Sequence, residues 1–217
     1  MALLLVGTAH ADRNGKDKLE TLLQWYKPDV VAVEIDKKRV RQLYKRTEQH
    51  IAIDILKLCE ENITREHAQQ FIATLAYEYL VARAYCKQHK ANLVFADPLG
   101  SKYFPRIRTP FTIRDLIVKQ QNEKDDEWMY SETDAFTKIM MDNELSGENK
   151  SHLEKRDTAT ADILLQPHGR VVHLGGMAHT HGPYHNLYER LKPNVTRIKL
   201  TYEEIATLRQ TQLLHCA

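Results

Sequence analysis

Leu3-Leu4-Leu5-Val6-Gly7-Thr8-Ala9-His10, followed by Pro28-Asp29-Val30-Val31-Ala32-Val33-Glu34, decides the fold. Each stretch carries a short continuous apolar run, closed in the first by Gly7 and in the second by Glu34. Such runs read as strands buried on both faces. Between them Asp12-Arg13-Asn14-Gly15 reads as a turn, and Leu19, Leu22, Leu23 and Tyr26 recur at helical spacing. Lys27-Pro28-Asp29 ends that helix, because the residue before a proline avoids helical geometry. Strand, helix and strand in so short a span predict a parallel βαβ unit with a right-handed crossover.

Outward from this unit the same alternation continues. Residues 37–60 read as a helix with Val40, Leu43 and Tyr44 among a basic, solvated face. A long helix is expected from about Thr64 to His89, with Tyr77, Tyr79 and Tyr85 as core and rim packing. Leu93-Val94-Phe95-Ala96 is a third buried strand, closed by Asp97-Pro98. A loop over 103–110 and a helical pattern around Ile113, Leu116 and Ile117 lead into the polar, charge-dense residues 119–150. The stretch of about 100–150 reads as a charged helical insertion and a candidate lid. A helix over 152–165 precedes the fourth strand, Val171-Val172-His173-Leu174, and Thr196 to Leu200 is the last. Thr201 and Glu204 form a capping box for a C-terminal helix. The reading is one α/β domain over residues 1–217, a mostly parallel central sheet flanked by helices.

Composition agrees. Hydrophobic residues make 42% and charged residues 28% of 217, ordinary for a globular protein and unlike a disordered chain. Lys and Arg number 31 against 29 Asp and Glu, a balance that argues against a nucleic-acid partner. Three widely spaced cysteines, Cys59, Cys86 and Cys216, suit reduced thiols in the cytoplasm. The run Ala2 to Val6 is too short for a signal peptide, and no stretch is long enough to span a bilayer, so neither export nor a membrane partner is expected.

The chemistry gathers at the strand ends. The first strand ends in Gly7-Thr8-Ala9-His10, the second in Glu34-Ile35-Asp36, the third in Asp97 and the fourth in Gly175-Gly176-Met177-Ala178-His179. Parallel strands bring all of these to the carboxyl edge of the sheet, where open α/β folds bind ligands. Two Gly-x-x-His motifs, Gly7 to His10 and Gly176 to His179, repeat one design, and with Glu34 they offer two imidazoles and a carboxylate to a divalent metal. Such a metal would lower the pKa of a bound water and polarise a carbonyl. Glu34 or a histidine acting directly as general base is the metal-free alternative. Arg156 could pair with Asp157 or Glu34, or serve as an oxyanion donor. Asp12, Asp97, Asp157 and His181 are candidate supporting groups. His185 reads as solvated, and His50, His67, His89, His152, His168, His173 and His215 have no companion at ligand spacing.

Taken together, Gly7 to His10, Pro28 to Asp36 with Arg39 and Leu43, Lys155-Arg156-Asp157, and Gly176-Met177-Ala178-His179-Thr180-His181-Gly182 resemble the signatures of the TraB/PrgY/GumN family. That group is placed with the TIKI metalloproteases and erythromycin esterase-like proteins. The resemblance implies a hydrolase-like α/β fold with His10, Glu34, Arg156 and His179 in the site. It also implies a divalent cofactor, manganese or cobalt as in TIKI proteins, with zinc admitted by the ligand types. The expected function is a metal-dependent hydrolase, a peptidase in the first instance, acting on a peptide or small-molecule substrate. The metals would sit on His10, His179 and Glu34, with Glu34 and Arg156 catalytic. A homodimer is compatible with this reading. A peptide- or ligand-sequestering domain, haem included, and a metal-free esterase-like hydrolase are the alternatives.

Overall fold

The computed structural model describes residues 2–9, 12–37, 40, 77–99, 147–193 and 195–215. Five strands form one parallel sheet: β1 (Ala2–Thr8), β2 (Val30–Val33), β3 (Asn92–Phe95), β4 (Arg170–Gly176) and β5 (Val195–Lys199). Their order across the sheet is β3-β2-β4-β1-β5. β1 and β2 are parallel as the sequence predicts, but β4 lies between them, pairing Leu4 with Val172 on one side and Val172 with Val31 on the other. All four residues of β2 and the middle of β1 and β4 are buried, which is why these strands read as apolar runs, broken in β4 at His173, rather than alternating ones.

Alternate side chains nevertheless serve two cores. Leu4, Val6, Val31, Val33, Val172 and Leu174 face α1 (Gly15–Tyr26) and α2 (Tyr77–His89). Leu3, Leu5, Val30, Ala32 and Val171 face α3 (Gly147–Leu164) and the short α5 (Leu187–Leu191). The C-terminal α6 (Tyr202–His215) returns Ile205 to the first core. The result is three layers, helix, sheet, helix, which is the α/β class expected.

Local boundaries follow local chemistry. Lys27, just past α1, adopts φ 49 and donates its N–H to Leu23 O at 3.0 Å, so the helix ends in a left-handed residue before Pro28. Thr201 Oγ1 accepts from the Glu204 N–H at 3.1 Å, one half of the expected capping box. The other half differs, since the Glu204 carboxylate takes the Lys199 N–H at 2.7 Å and ties α6 to β5. α3 begins at Gly147, five residues before the expected 152, so the end of the stretch read as insertion is helix. Tyr77, Tyr79 and Tyr85 are buried as predicted, and Cys86 is a buried free thiol that burial pushes up to about 11. The expected helices over 41–60 and 64–76, the features over 100–146, Cys59, Cys216 and His10 lie outside the described residues. Among the described residues no helix is long and apolar enough to cross a membrane.

Candidate functional site

Glu34 follows β2 directly, and its N–H still donates to Leu174 O of β4 at 3.0 Å. Its side chain turns over the neighbouring strand, where Oε2 accepts the Gly176 N–H at 2.7 Å. Asp97 stands two residues past β3, after Ala96 has bonded Val33 O at 2.9 Å. β4 runs straight into a five-residue helix, α4 (Met177–His181), which carries His179 back over the edge. Strand-end backbone pairing therefore fixes Glu34 and Asp97, and a short helix fixes His179.

The remaining groups come from α3. Its inward stripe reads Leu153, Arg156, Asp157, Thr160, Ala161 and Leu164, the i, i+3, i+4 spacing of a helix face. Arg156 forks onto Asp97, Nε to Oδ1 at 3.3 Å and Nη2 to Oδ2 at 2.6 Å, and Nη2 also reaches Glu34 Oε1 at 2.8 Å. Thr160 Oγ1 bonds Ala96 O at 2.7 Å, pinning the helix to the end of β3. Arg156 sits in the third turn of its helix, clear of the N-terminal end of the helix dipole, which disfavours a positive charge.

His179 lies between two carboxylates. Nε2 is 3.0 Å from Glu34 Oε1, and Nδ1 bonds Asp157 Oδ1. Tyr184 Oη donates to the other oxygen of Asp157 at 2.9 Å and lies 3.4 Å from His179 Nδ1. Burial alone would depress the His179 imidazole, but Glu34 and Asp157 together lift it to about 10. Burial would conversely raise Glu34, and His179, Arg156 and the Gly176 N–H hold it far below the ordinary carboxylate range. Burial, with the Asp157 charge beside it, raises the Tyr184 phenol well above 10, so it stays a neutral donor. Asp97 and Asp157 are 1% exposed and Arg156 5%, while the Glu34 side chain keeps 17%. The cluster meets solvent at Glu34.

Of the residues expected from sequence, Glu34, Asp97, Arg156, Asp157 and His179 come together here, with Thr160, His173 and Leu187 completing the lining of the same space. Asp12 serves the loop after β1 instead. Its carboxylate pairs with the fully buried Lys18 at 3.1 Å and accepts the Asn14 N–H at 2.9 Å. His181 Nδ1 lies 2.8 Å from Thr180 Oγ1, and burial with Arg197 and Lys199 nearby pushes it down to about 4. Tyr184, Thr160 and His173 were not expected. The only sequence signal was a histidine interrupting the apolar run of β4.

The glycines of the two motifs have unequal duties. A Cβ on Gly7 would lie 2.5 Å from Thr180 Oγ1 and 2.6 Å from Met177 Sδ, so this glycine lets α4 close across β1. The first motif therefore seats the helix that carries the histidine of the second. Gly176 contributes its N–H to Glu34.

The donor chemistry suits a divalent ion in part. Asp157 fixes the Nδ1 side of His179 and turns Nε2 towards Glu34, an arrangement in which a carboxylate orients an imidazole. Among the described residues no three His, Cys, Asp or Glu side chains are grouped so as to hold an ion. His10, the implied third ligand, lies outside those residues. No family model, no curated protein and no solved structure matches the chain.

Proposed function

We propose that the chain is a metal-assisted hydrolase of peptide or related carbonyl substrates, working at the carboxyl edge of its sheet in the cytoplasm. One observation carries the reading. Glu34, Asp97, Arg156 with Asp157, and His179 reach a single cluster from four separated stretches of chain, and His179 is oriented by Asp157 with Nε2 facing Glu34. Burying so many ionisable groups costs stability unless they serve a ligand or each other. Charge supports the ion. Three carboxylates meet one guanidinium and one imidazole, so even with His179 protonated the cluster is one positive charge short. A divalent ion in place of the His179 proton would balance it.

Glu34 and His179 would hold the ion, with His10 as the third ligand that the TraB/PrgY/GumN resemblance implies. When bound, such an ion supplies an acidified water and polarises a carbonyl. Arg156, locked by Asp97, presents a fixed positive charge beside Glu34, suited to a developing oxyanion. Asp157 and Tyr184 hold the imidazole in one orientation.

Elemental analysis of protein purified without chelator, paired with cleavage assays on peptides and esters, tests this. We expect roughly stoichiometric Mn, Co or Zn, and a loss of about 10²–10⁴ in turnover for Glu34→Gln or His179→Ala. Wild-type metal content and turnover in both variants would discard the assignment. A metal-free hydrolase is the second reading, favoured because Glu34 Oε1 already accepts from both Arg156 and His179. Activity that survives exhaustive chelation would select it. Ligand affinity without turnover would select a sequestering domain.

A further inference from the structure

α4 has five residues, too few for its own backbone bonds to hold it, so its place depends on what grips it. Its N-terminal end is fixed, because β4 runs into it without a break. Towards its other end the chain takes one carbonyl itself, Ala178 O accepting the Gly182 N–H at 3.0 Å. The Thr180 carbonyl is taken from outside the helix. Arg197, an exposed residue of the edge strand β5, donates Nη1 to it at 3.0 Å, a basic side chain meeting the C-terminal carbonyls of a helix. The same guanidinium lies over the Tyr188 ring of α5, 4.0 Å from its centroid.

Register and charge show that this bond is directed. Arg197 pairs with Leu5 of β1 and so stands on the sheet face that α3 and α5 cover. Glu189 lies near enough to feel its charge, yet the Glu189 carboxylate bonds Lys192 instead. Among the described residues Arg197 makes no ion pair, and its hydrogen bond goes to α4. The stack on Tyr188 restricts the long side chain, which lowers the entropy cost of that bond. Thr180 is fully buried and follows His179 directly, so moving its carbonyl turns the helix that aims the imidazole. His179 is thereby held from two sides, Asp157 gripping the ring and Arg197 the backbone beside it. We propose that Arg197 is a positioning residue for His179: by holding the Thr180 carbonyl from β5 it fixes α4 and with it the reach of the imidazole to Glu34 and Asp157. Its bearing on turnover rests on the hydrolase reading above. A displacement of about 1 Å, caused by a change outside the chemistry, can cost about a hundredfold in rate. A lysine could reach the carbonyl but has no planar group to stack on the ring.

The test compares the full-length wild type with Arg197→Met, Arg197→Lys and Tyr188→Leu, by ¹⁵N-histidine NMR without substrate and by kcat and KM on peptides and esters. In Arg197→Met we expect shifted ring resonances of His179 and a kcat about 10–100-fold lower, with KM little changed. Arg197→Lys should recover part of both. Tyr188→Leu keeps the bond and loses the stack, so it should move both readouts the same way by less. It also carries the comparison should Arg197→Met fail to fold. A merely structural arginine lowers the melting temperature but leaves the His179 resonances and the kcat of the folded protein at wild-type values, and that result overturns the proposal. The two readings separate cleanly. Shifted His179 resonances in a protein that cleaves no peptide or ester remove the hydrolase and leave the tether. Wild-type kcat with unmoved resonances removes the tether and leaves the hydrolase.

Discussion

Arg156 shows how much one side chain can organise when it is buried among partners. Its fork on Asp97 and its bond to Glu34 use geometry that a lysine cannot copy, because an ammonium is a point charge on a flexible stem. Replacing it by alanine strands Asp97, which is 1% exposed, and takes one donor from Glu34, and should cost about 3–5 kcal/mol of stability. Arg156→Lys should recover part of that loss but little activity. Denaturant midpoints together with turnover for the two variants check this, and equal stability in both would show that the fork has no special value. His179 makes a second, pH-dependent prediction. Its pKa rises from 6.5 to about 10 on folding, so the folded protein holds a proton the unfolded chain releases over that range. The contribution to stability is complete below about pH 6.5 and disappears as pH climbs through about 10. In metal-free protein the unfolding midpoint should therefore fall between about pH 7 and 10, and His179→Gln should flatten that slope. A slope unchanged in the variant would place the titration elsewhere.

At the scale of elements, α3 and α4 were the least legible of the described helices, and for related reasons. Periodicity finds helices by their apolar stripe, but the stripe of α3 spends Arg156, Asp157 and Thr160 on the site, leaving Leu153, Ala161 and Leu164 as the apolar signal. That placed the helix correctly and started it late. The five residues of α4 are too few for a periodic pattern, so Gly176 to Gly182 read as a strand end with histidines. β1, β2 and β3 were legible because their apolar runs are unbroken and each is closed by a polar or glycine residue at the edge. Tyr184 had no such marker, since a tyrosine after proline in a loop looks like any surface aromatic until Asp157 comes within reach. The packing of α4 over β1 gives a prediction of its own. Gly7→Ala drives a methyl against the Thr180 and Met177 side chains, so these side chains or α4 itself must give way. Overpacking of this kind costs about 1–3 kcal/mol, and relief of it by a movement of α4 carries His179 away from Glu34. Activity should fall by more than the stability loss explains, with the His179 ring resonance shifted in the same variant. Normal turnover in the Gly7→Ala protein would show that α4 has room to spare.

Across the whole molecule, the cluster joins what the topology separates. α1 and α2 cover one face of the sheet and α3 and α5 the other, and the site opens where the chain leaves the ends of β2, β3 and β4. The strand order brought these chain ends together and could not be read from sequence, because placing β4 between β2 and β1 depends on contacts between distant segments. What could be read was that polar residues follow apolar runs, and parallel pairing turned that into a common edge. A ligand bound there should consequently stabilise the fold as a unit, since it links β2 to α4 and, through Arg156, to α3 and β3. An ion that binds only the folded chain adds RT ln(1 + [L]/Kd), about 2.7 kcal/mol at a hundredfold excess over Kd. For a domain of this size each kcal/mol is worth about 2–4 °C, so saturating Mn²⁺ or Zn²⁺ should raise the melting temperature by about 5–10 °C. Uptake also displaces the His179 proton, which makes the gain larger at about pH 8 than at about pH 6. Thermal melts at both pH values, with and without ion, decide the matter: Glu34→Gln and His179→Gln should lose the gain, and a pH-independent rise that persists in both variants would place the ion away from this edge.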